Sequence, residues 1–128
     1  MGLEYEELTG KIIGAAIEVH KALGPGFVES VYENALALEL RAQDIPFTRQ
    51  VSVPVVYRGA EVGLHRLDLY VADVIVVELK AVKALEDIHF AVARSYLRAT
   101  GRQHGLILNF AKPMLEAKRV LAAEWPTR

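Results

Sequence analysis

The sequence predicts an α/β fold in the order α-α-β-β-β-α-β-α, with a mixed four-stranded sheet flanked by helices. Three observations predict it. Two stretches with helical apolar spacing open the chain. Three strand-like runs follow, parted only by short turns. A further helical stretch then separates the third run from a fourth.

Residues 4–23 place Leu8, Ile12, Ala15, Ala16, Val19 and Leu23 at three- and four-residue spacing, one apolar stripe of a helix. Gly24-Pro25-Gly26 stops it, because Gly accepts a left-handed cap and Pro blocks continuation. Gly10 and Gly14 lie inside this helix and cost about 1 kcal/mol each relative to Ala, so a close helix or strand neighbour is expected over them. Residues 28–42 form a second helix, with Val28, Val31, Tyr32, Ala35, Leu36, Leu38 and Leu40 as its apolar surface. Ile45-Pro46 breaks it. Phe47 to Tyr57 reads as a strand, and Pro54 within it requires an edge or a bulge. Arg58-Gly59-Ala60 is a turn, Val62 to Val71 the second strand, Ala72-Asp73 a tight turn, and Asp73 to Lys80 the third strand. Such close spacing favours antiparallel hairpins. Residues 86–100 form a helix carrying Ile88, Ala91, Val92, Ser95, Tyr96 and Ala99 on one side, ended by Gly101. Gly105 to Phe110 is the fourth strand, and a crossover through that helix makes it parallel to the third. Residues 113–124, with Pro113 in the first turn, read as a final helix.

A length of 128 residues implies one domain, 1–128. Hydrophobic content of 52% and charged content of 24% are those of a globular protein with a real core. The net charge of −1 gives no global pull towards nucleic acid, so such binding needs a local patch. The absence of cysteine excludes disulfides and thiolate metal sites. The acidic start, Met1 to Glu7, is unlike a signal peptide, and no run of about 18 apolar residues offers a membrane span, so the expected location is the cytoplasm.

The chemistry concentrates in Arg66-Leu67-Asp68-Leu69-Tyr70-Val71 and Val74-Ile75-Val76-Val77-Glu78-Leu79-Lys80. Each apolar run carries acid. Strand side chains alternate, so Glu78 and Lys80 point to one side and Leu79 to the other. An Asp and a Glu-x-Lys on neighbouring strands make a hard-oxygen site beside an ammonium, suited to holding a divalent cation and hydrolysing a phosphodiester. The plainer alternative is two strand-end carboxylates in water, with Glu78 and Lys80 as a surface pair worth little. Against it, Glu78 directly follows a buried-type run, where a charge needs a partner or a metal.

A wider pattern surrounds these residues. Leu23-Gly24-Pro25-Gly26 leads into Gly26-x-x-Glu29-x-x-Tyr32-Glu33. Ile45-Pro46-Phe47, Arg49-Gln50, Tyr57-x-Gly59, Gly63, Asp68, Val77-Glu78-Leu79-Lys80, Tyr96-Leu97 and Gly105-Leu106-x-Leu108-Asn109-Phe110 follow in order. Over roughly residues 4–120 the chain resembles the GxxExxY proteins, a small branch of the PD-(D/E)xK nuclease superfamily. The resemblance implies a restriction-endonuclease-like α-β-β-β-α-β core. It puts Asp68 in the place of the metal-binding aspartate, Glu78 in that of the second acid and Lys80 in that of the following lysine, the catalytic set. The main-chain carbonyl of Leu79 would add an oxygen to the metal, and Glu33 falls where some of these nucleases carry an extra acid on the first core helix. Its alternative is an exposed helix glutamate. Mg²⁺ (or Mn²⁺) is the implied cofactor. Related nucleases carry Gln-x-x-x-Tyr on the helix after the third strand. Here Tyr96 is present but Val92 stands at the Gln position, and Val cannot hydrogen-bond a phosphate, a base or an acid. Tyr96 is a substrate contact or a core aromatic.

Arg94 and Arg98, one helical turn apart, are candidates for a nucleic-acid track, with Arg102, Lys80, Lys83 and Lys112 as neighbours; solvation of a helix face is the alternative. Gln50 is a candidate for the cleft lining. His20, His65, His89 and His104 lack metal-helix spacing, so zinc is not expected; His89 is more simply a packing residue than a cleft residue. No Gly-rich phosphate loop or Gly-x-Ser-x-Gly elbow is present. The leading expectation is an Mg²⁺-dependent nuclease on DNA or RNA. The alternatives are a catalytically weak or inactive module of this fold, binding nucleic acid or a protein, and a structural or dimerisation domain. A homodimer fits any of them.

Overall fold

A computed structural model describes residues 5–122. Its elements are α1 (Glu6–Leu23), α2 (Glu29–Ala42), β1 (Phe47–Tyr57), β2 (Ala60–Val71), β3 (Ile75–Lys80), α3 (Asp87–Thr100), β4 (His104–Asn109) and β5 (Glu116–Leu121). Alternation along β3 sets the layers. Ile75, Val77 and Leu79 pack with Ile12 and Ala16 of α1 and Leu36 and Leu40 of α2. Val76 packs on the other face with Ala93 and Leu97 of α3. A sheet covered on both faces explains the unbroken apolar run before Glu78. Among the described residues no helix is long and apolar enough to cross a membrane.

The sheet order is β1-β2-β3-β4-β5. β1–β2 and β2–β3 are antiparallel, and β3–β4 is parallel across α3, as the spacing implies. β1 is an outer strand, and its register shifts between Val55 and Val56, so Pro54 has both an edge and a bulge.

The final helix is where the fold departs from expectation. Residues 116–121 form a fifth strand antiparallel to β4, with Gly105 opposite Val120 and Leu108 opposite Ala117. Leu115 and Ala117 face the α1/α2 core; Val120 and Ala122 face the α3 core. This period of two is hidden behind the high helix propensity of Glu, Ala, Lys and Arg. What overrides propensity is β4, whose Leu106, Ile107 and Leu108 are buried and whose outer backbone groups need partners. Expected helix positions 123 and 124, like Glu4 of the first helix, lie outside the described residues.

The Gly26-x-x-Glu29-x-x-Tyr32 stretch acquires a structural reading. Tyr32 is fully buried, its ring stacked on Phe110 with centroids 4.5 Å apart. Its hydroxyl donates to the Gly24 carbonyl at 2.6 Å and accepts from the Phe27 N–H at 3.2 Å. One side chain thus closes the loop between the first two helices, where Gly24 holds φ at 70°. Next to Phe110, Asn109 is fully buried and clasps Val82, its amide donating to the Val82 carbonyl at 2.9 Å and accepting the Val82 N–H at 3.1 Å.

Among the described residues no close neighbour sits over Gly10 or Gly14: a methyl group built at either meets nothing within 4 Å. Both are exposed, so their cost in helix propensity is uncompensated. Gly14→Ala is therefore expected to stabilise the protein by about 1 kcal/mol, read as a higher urea midpoint at unchanged slope. An unchanged or lower midpoint would show that the glycine is needed.

A candidate active site at the fork of two strands

The ladder between β2 and β3 ends at the Leu69–Val77 pair. Asp68 and Glu78 come next, and there side chains take over from main chain. The Asp68 N–H donates to Glu78 Oε2 at 3.3 Å, and the Leu79 N–H donates to Asp68 Oδ2 at 2.9 Å. The two carboxylates are crossed in the opening between the strands. No hydrogen bond among the described residues reaches Asp68 Oδ1 or Glu78 Oε1.

A change of face opens this fork. Leu69 and Val71 lie in the α1/α2 core, whereas Leu67 lies in the α3 core, although regular strand spacing would keep all three together. In β1, Phe47 and Val51 part in the same way. Between them Gln50 adopts φ 51°, a left-handed conformation that costs a non-glycine residue roughly 1–2 kcal/mol. Its side chain is tied down: Nε2 donates to Glu33 Oε1 at 2.7 Å. Arg49 grips the other oxygen, with Nε and Nη2 each 2.9 Å from Glu33 Oε2, and also donates to Asn34 Oδ1.

Glu33 is accordingly neither exposed nor free. It is 7% exposed, and both its oxygens are engaged by β1. The extra acid is an anchor for the kinked strand. Its charge still reaches Asp68, as does that of Glu29, one turn earlier on α2. Burial chiefly raises the Asp68 pKa, opposed by the Leu79 amide and Lys80. Glu78, only 5% exposed, is pushed up to about 8, by burial first and by the Asp68 charge second, with Lys80 again opposing. Lys80 is thus the cation both acids feel, and no ion pair among the described residues joins it to either.

Tyr96 stands beside the pair: burial raises its hydroxyl pKa, and the charges of Glu78 and Asp68 raise it further. Val92, one turn before it, shares that side of α3. The basic track is dispersed. Arg102 donates to the Tyr70 hydroxyl at 2.6 Å, at the end of β3 remote from Lys80, where His104 pairs with Ile75. Lys112 pairs with Glu116, and its carbonyl contacts His20 Nε2 at 2.9 Å. Arg94 has a buried Nε that no acceptor among the described residues meets. Arg98 is exposed on α3 and lies within electrostatic reach of His65. His89 accepts the Glu86 N–H at 2.8 Å and so caps α3.

Glu29, Arg49, His65 and Ser95 escaped the candidate set. Glu29 and Glu33 are four residues apart, the spacing that stacks two side chains on one helix face, so Glu29 was legible once Glu33 was chosen. Arg49 stands in the Arg49-Gln50 pair, but its partner Glu33 is sixteen residues away, and nothing local marks the contact of His65 with Ser95 thirty residues on.

A hard divalent cation fits the two free carboxylate oxygens. Among the described residues no three Asp, Glu, His or Cys side chains gather closely enough to hold an ion, so a cation at the fork would have the two crossed carboxylates to hold it. Mg²⁺ tolerates this, because it keeps several waters and needs only one or two carboxylates.

The five-stranded mixed sheet, with paired helices on one face and a crossover helix on the other, and acids at the sheet's fork, defines a restriction-endonuclease-like protein. The chain belongs to the PD-(D/E)XK nuclease superfamily, whose family model matches residues 6–120. The solved crystal structure of SSO0001 shares the fold, with a TM-score of 0.55 and 15% identity over 92% of this chain and 59% of that one. The chain therefore spans less than two thirds of that relative. No curated protein matches significantly.

A raised carboxyl pKa favours the folded state only while the carboxyl is protonated. For Glu78 that stabilisation is complete below its ordinary value of 4.5 and is lost as pH rises through about 8. In chelator, thermal stability is expected to fall between pH 5 and 8, and Glu78→Gln to flatten the fall. An equally steep fall in Glu78→Gln would assign the effect to other groups.

Proposed function

We propose that the chain is a metal-dependent nuclease hydrolysing phosphodiester bonds of DNA or RNA, with Asp68, Glu78 and Lys80 as its catalytic residues. The observation that carries this is the crossing of Asp68 and Glu78 at the fork, within electrostatic reach of Lys80. Asp68 Oδ1, Glu78 Oε1 and the Leu79 carbonyl would hold Mg²⁺ or Mn²⁺. When bound, that ion polarises the phosphate and makes water a better nucleophile. The rest falls to the chain. Glu78 must give up its proton before it can ligate, so affinity for the ion rises with pH through about 8. Lys80 neutralises charge developing on the phosphate or orients the attacking water. Glu33 holds Arg49 and Gln50 and thereby the strand that backs Asp68. Tyr96 offers a hydroxyl next to the acids for a substrate contact.

A second reading, a binding module with weak or no turnover, is favoured by Val92, which puts a methyl surface where related nucleases carry an amide.

Calorimetric titration is expected to show Mn²⁺ binding that Asp68→Ala abolishes, and metal-dependent cleavage of an oligonucleotide panel that Lys80→Ala lowers at least about 100-fold. Binding that survives Asp68→Ala overturns the site; cleavage that survives Lys80→Ala overturns the catalytic assignment. If only Val92→Gln cleaves, the second reading holds for the native chain.

A further inference from the structure

A cleft of about 310 Å³ opens on the α3 side, beyond the acid pair. Pro54, Val56 and His65 of the β1–β2 arm form one wall, and Ser95, Arg98 and Ala99 of α3 the other. It adjoins the acids through one ring. His65 meets Tyr96 edge-on with centroids 4.3 Å apart, and the Tyr96 hydroxyl in turn feels Glu78 and Asp68.

The hydrogen-bond pattern fixes the character of His65. Ser95 Oγ lies 2.6 Å from the Val92 carbonyl, which has no proton to give, so the hydroxyl proton lies between them. The 3.0 Å contact of Ser95 Oγ with His65 Nε2 is then donated by Nε2–H. This leaves Nδ1 as an acceptor. Burial, and Arg98 nearby, both favour the neutral ring. The cleft therefore combines a flat neutral acceptor, a guanidinium and an apolar wall. A phosphate needs the second; a nucleobase suits the first and third.

We propose that this cleft receives one unpaired nucleotide of the strand to be cut, its base against His65 and the Pro54–Val56 wall and its phosphate towards Arg98. The inference rests on the nuclease reading and adds strandedness to it. A base in an intact duplex is stacked and paired, with no face to offer, so the preferred substrate is single-stranded nucleic acid or a frayed end.

The test is binding without metal, which separates it from catalysis. Fluorescence anisotropy in chelator would compare labelled oligo-dT and oligo-U decamers with a blunt duplex of equal length. The single strands are expected to bind at least about tenfold tighter than the duplex. Ala99→Trp, which fills the cleft, and Arg98→Ala, at an exposed position and checked for native folding by circular dichroism, are each expected to weaken single-strand binding about tenfold. A preference for oligo-U or for oligo-dT says which of the RNA and DNA strands the cleft takes. Duplex preference, no binding by the wild type, or unchanged affinity in Arg98→Ala overturns the proposal, whether or not Ala99→Trp folds. If wild-type protein binds single strands through the cleft yet takes up no Mn²⁺, the nuclease reading falls and the nucleotide site stands.

Discussion

The site depends on one exchange of partners. Where β2 and β3 should continue their ladder, each strand's amide is instead satisfied by a carboxylate from the strand opposite. A simple splaying of the strands would leave amides unpaired near the core, at a cost of about 1–3 kcal/mol each. The crossed carboxylates remove that cost and use one oxygen apiece to do so. The fork is both a way to end a ladder and a way to aim two acids at one point. Glu33, Arg49 and Gln50 support it from α2 and β1, holding the left-handed turn of backbone that lets both strands change faces.

The arrangement carries electrostatic tension. Burial, and the mutual repulsion of Asp68 and Glu78, favour the protonated carboxyls, and Lys80 relieves this only in part. Glu29 and Glu33 add negative charge from α2. A site under such tension gains when a cation arrives, and would settle less readily around an ammonium already in salt-bridge contact. Lys80 stays within reach without closing on either acid.

Much of the architecture could be read from period and punctuation. Seven elements followed from apolar spacing, from Gly24 and Gly101 at helix ends, and from Pro54 at an edge. The last strand did not, because Glu116-Ala117-Lys118-Arg119 has a composition that favours helix, and its strand identity comes from the open side of β4. The site was legible as far as its strand chemistry went: Asp68, Glu78 and Lys80 stand out as charges in apolar runs. Glu33 was visible as a residue but not as an anchor, since its partners lie sixteen and seventeen positions away. The dispersal of Arg102 and Lys112 was equally hidden, because both stand in loops between elements, where sequence spacing does not say which end of the sheet a side chain meets.

The closing position of β5 has a consequence for how the protein is made. β4 is the most apolar strand on that side, and the segment that covers it follows it in the chain. During synthesis there is an interval in which the outer rim of β4 is a ready template for any passing extended segment. The growing polypeptide is most prone to aggregate then, and the risk ends only when residues 116–121 emerge and dock.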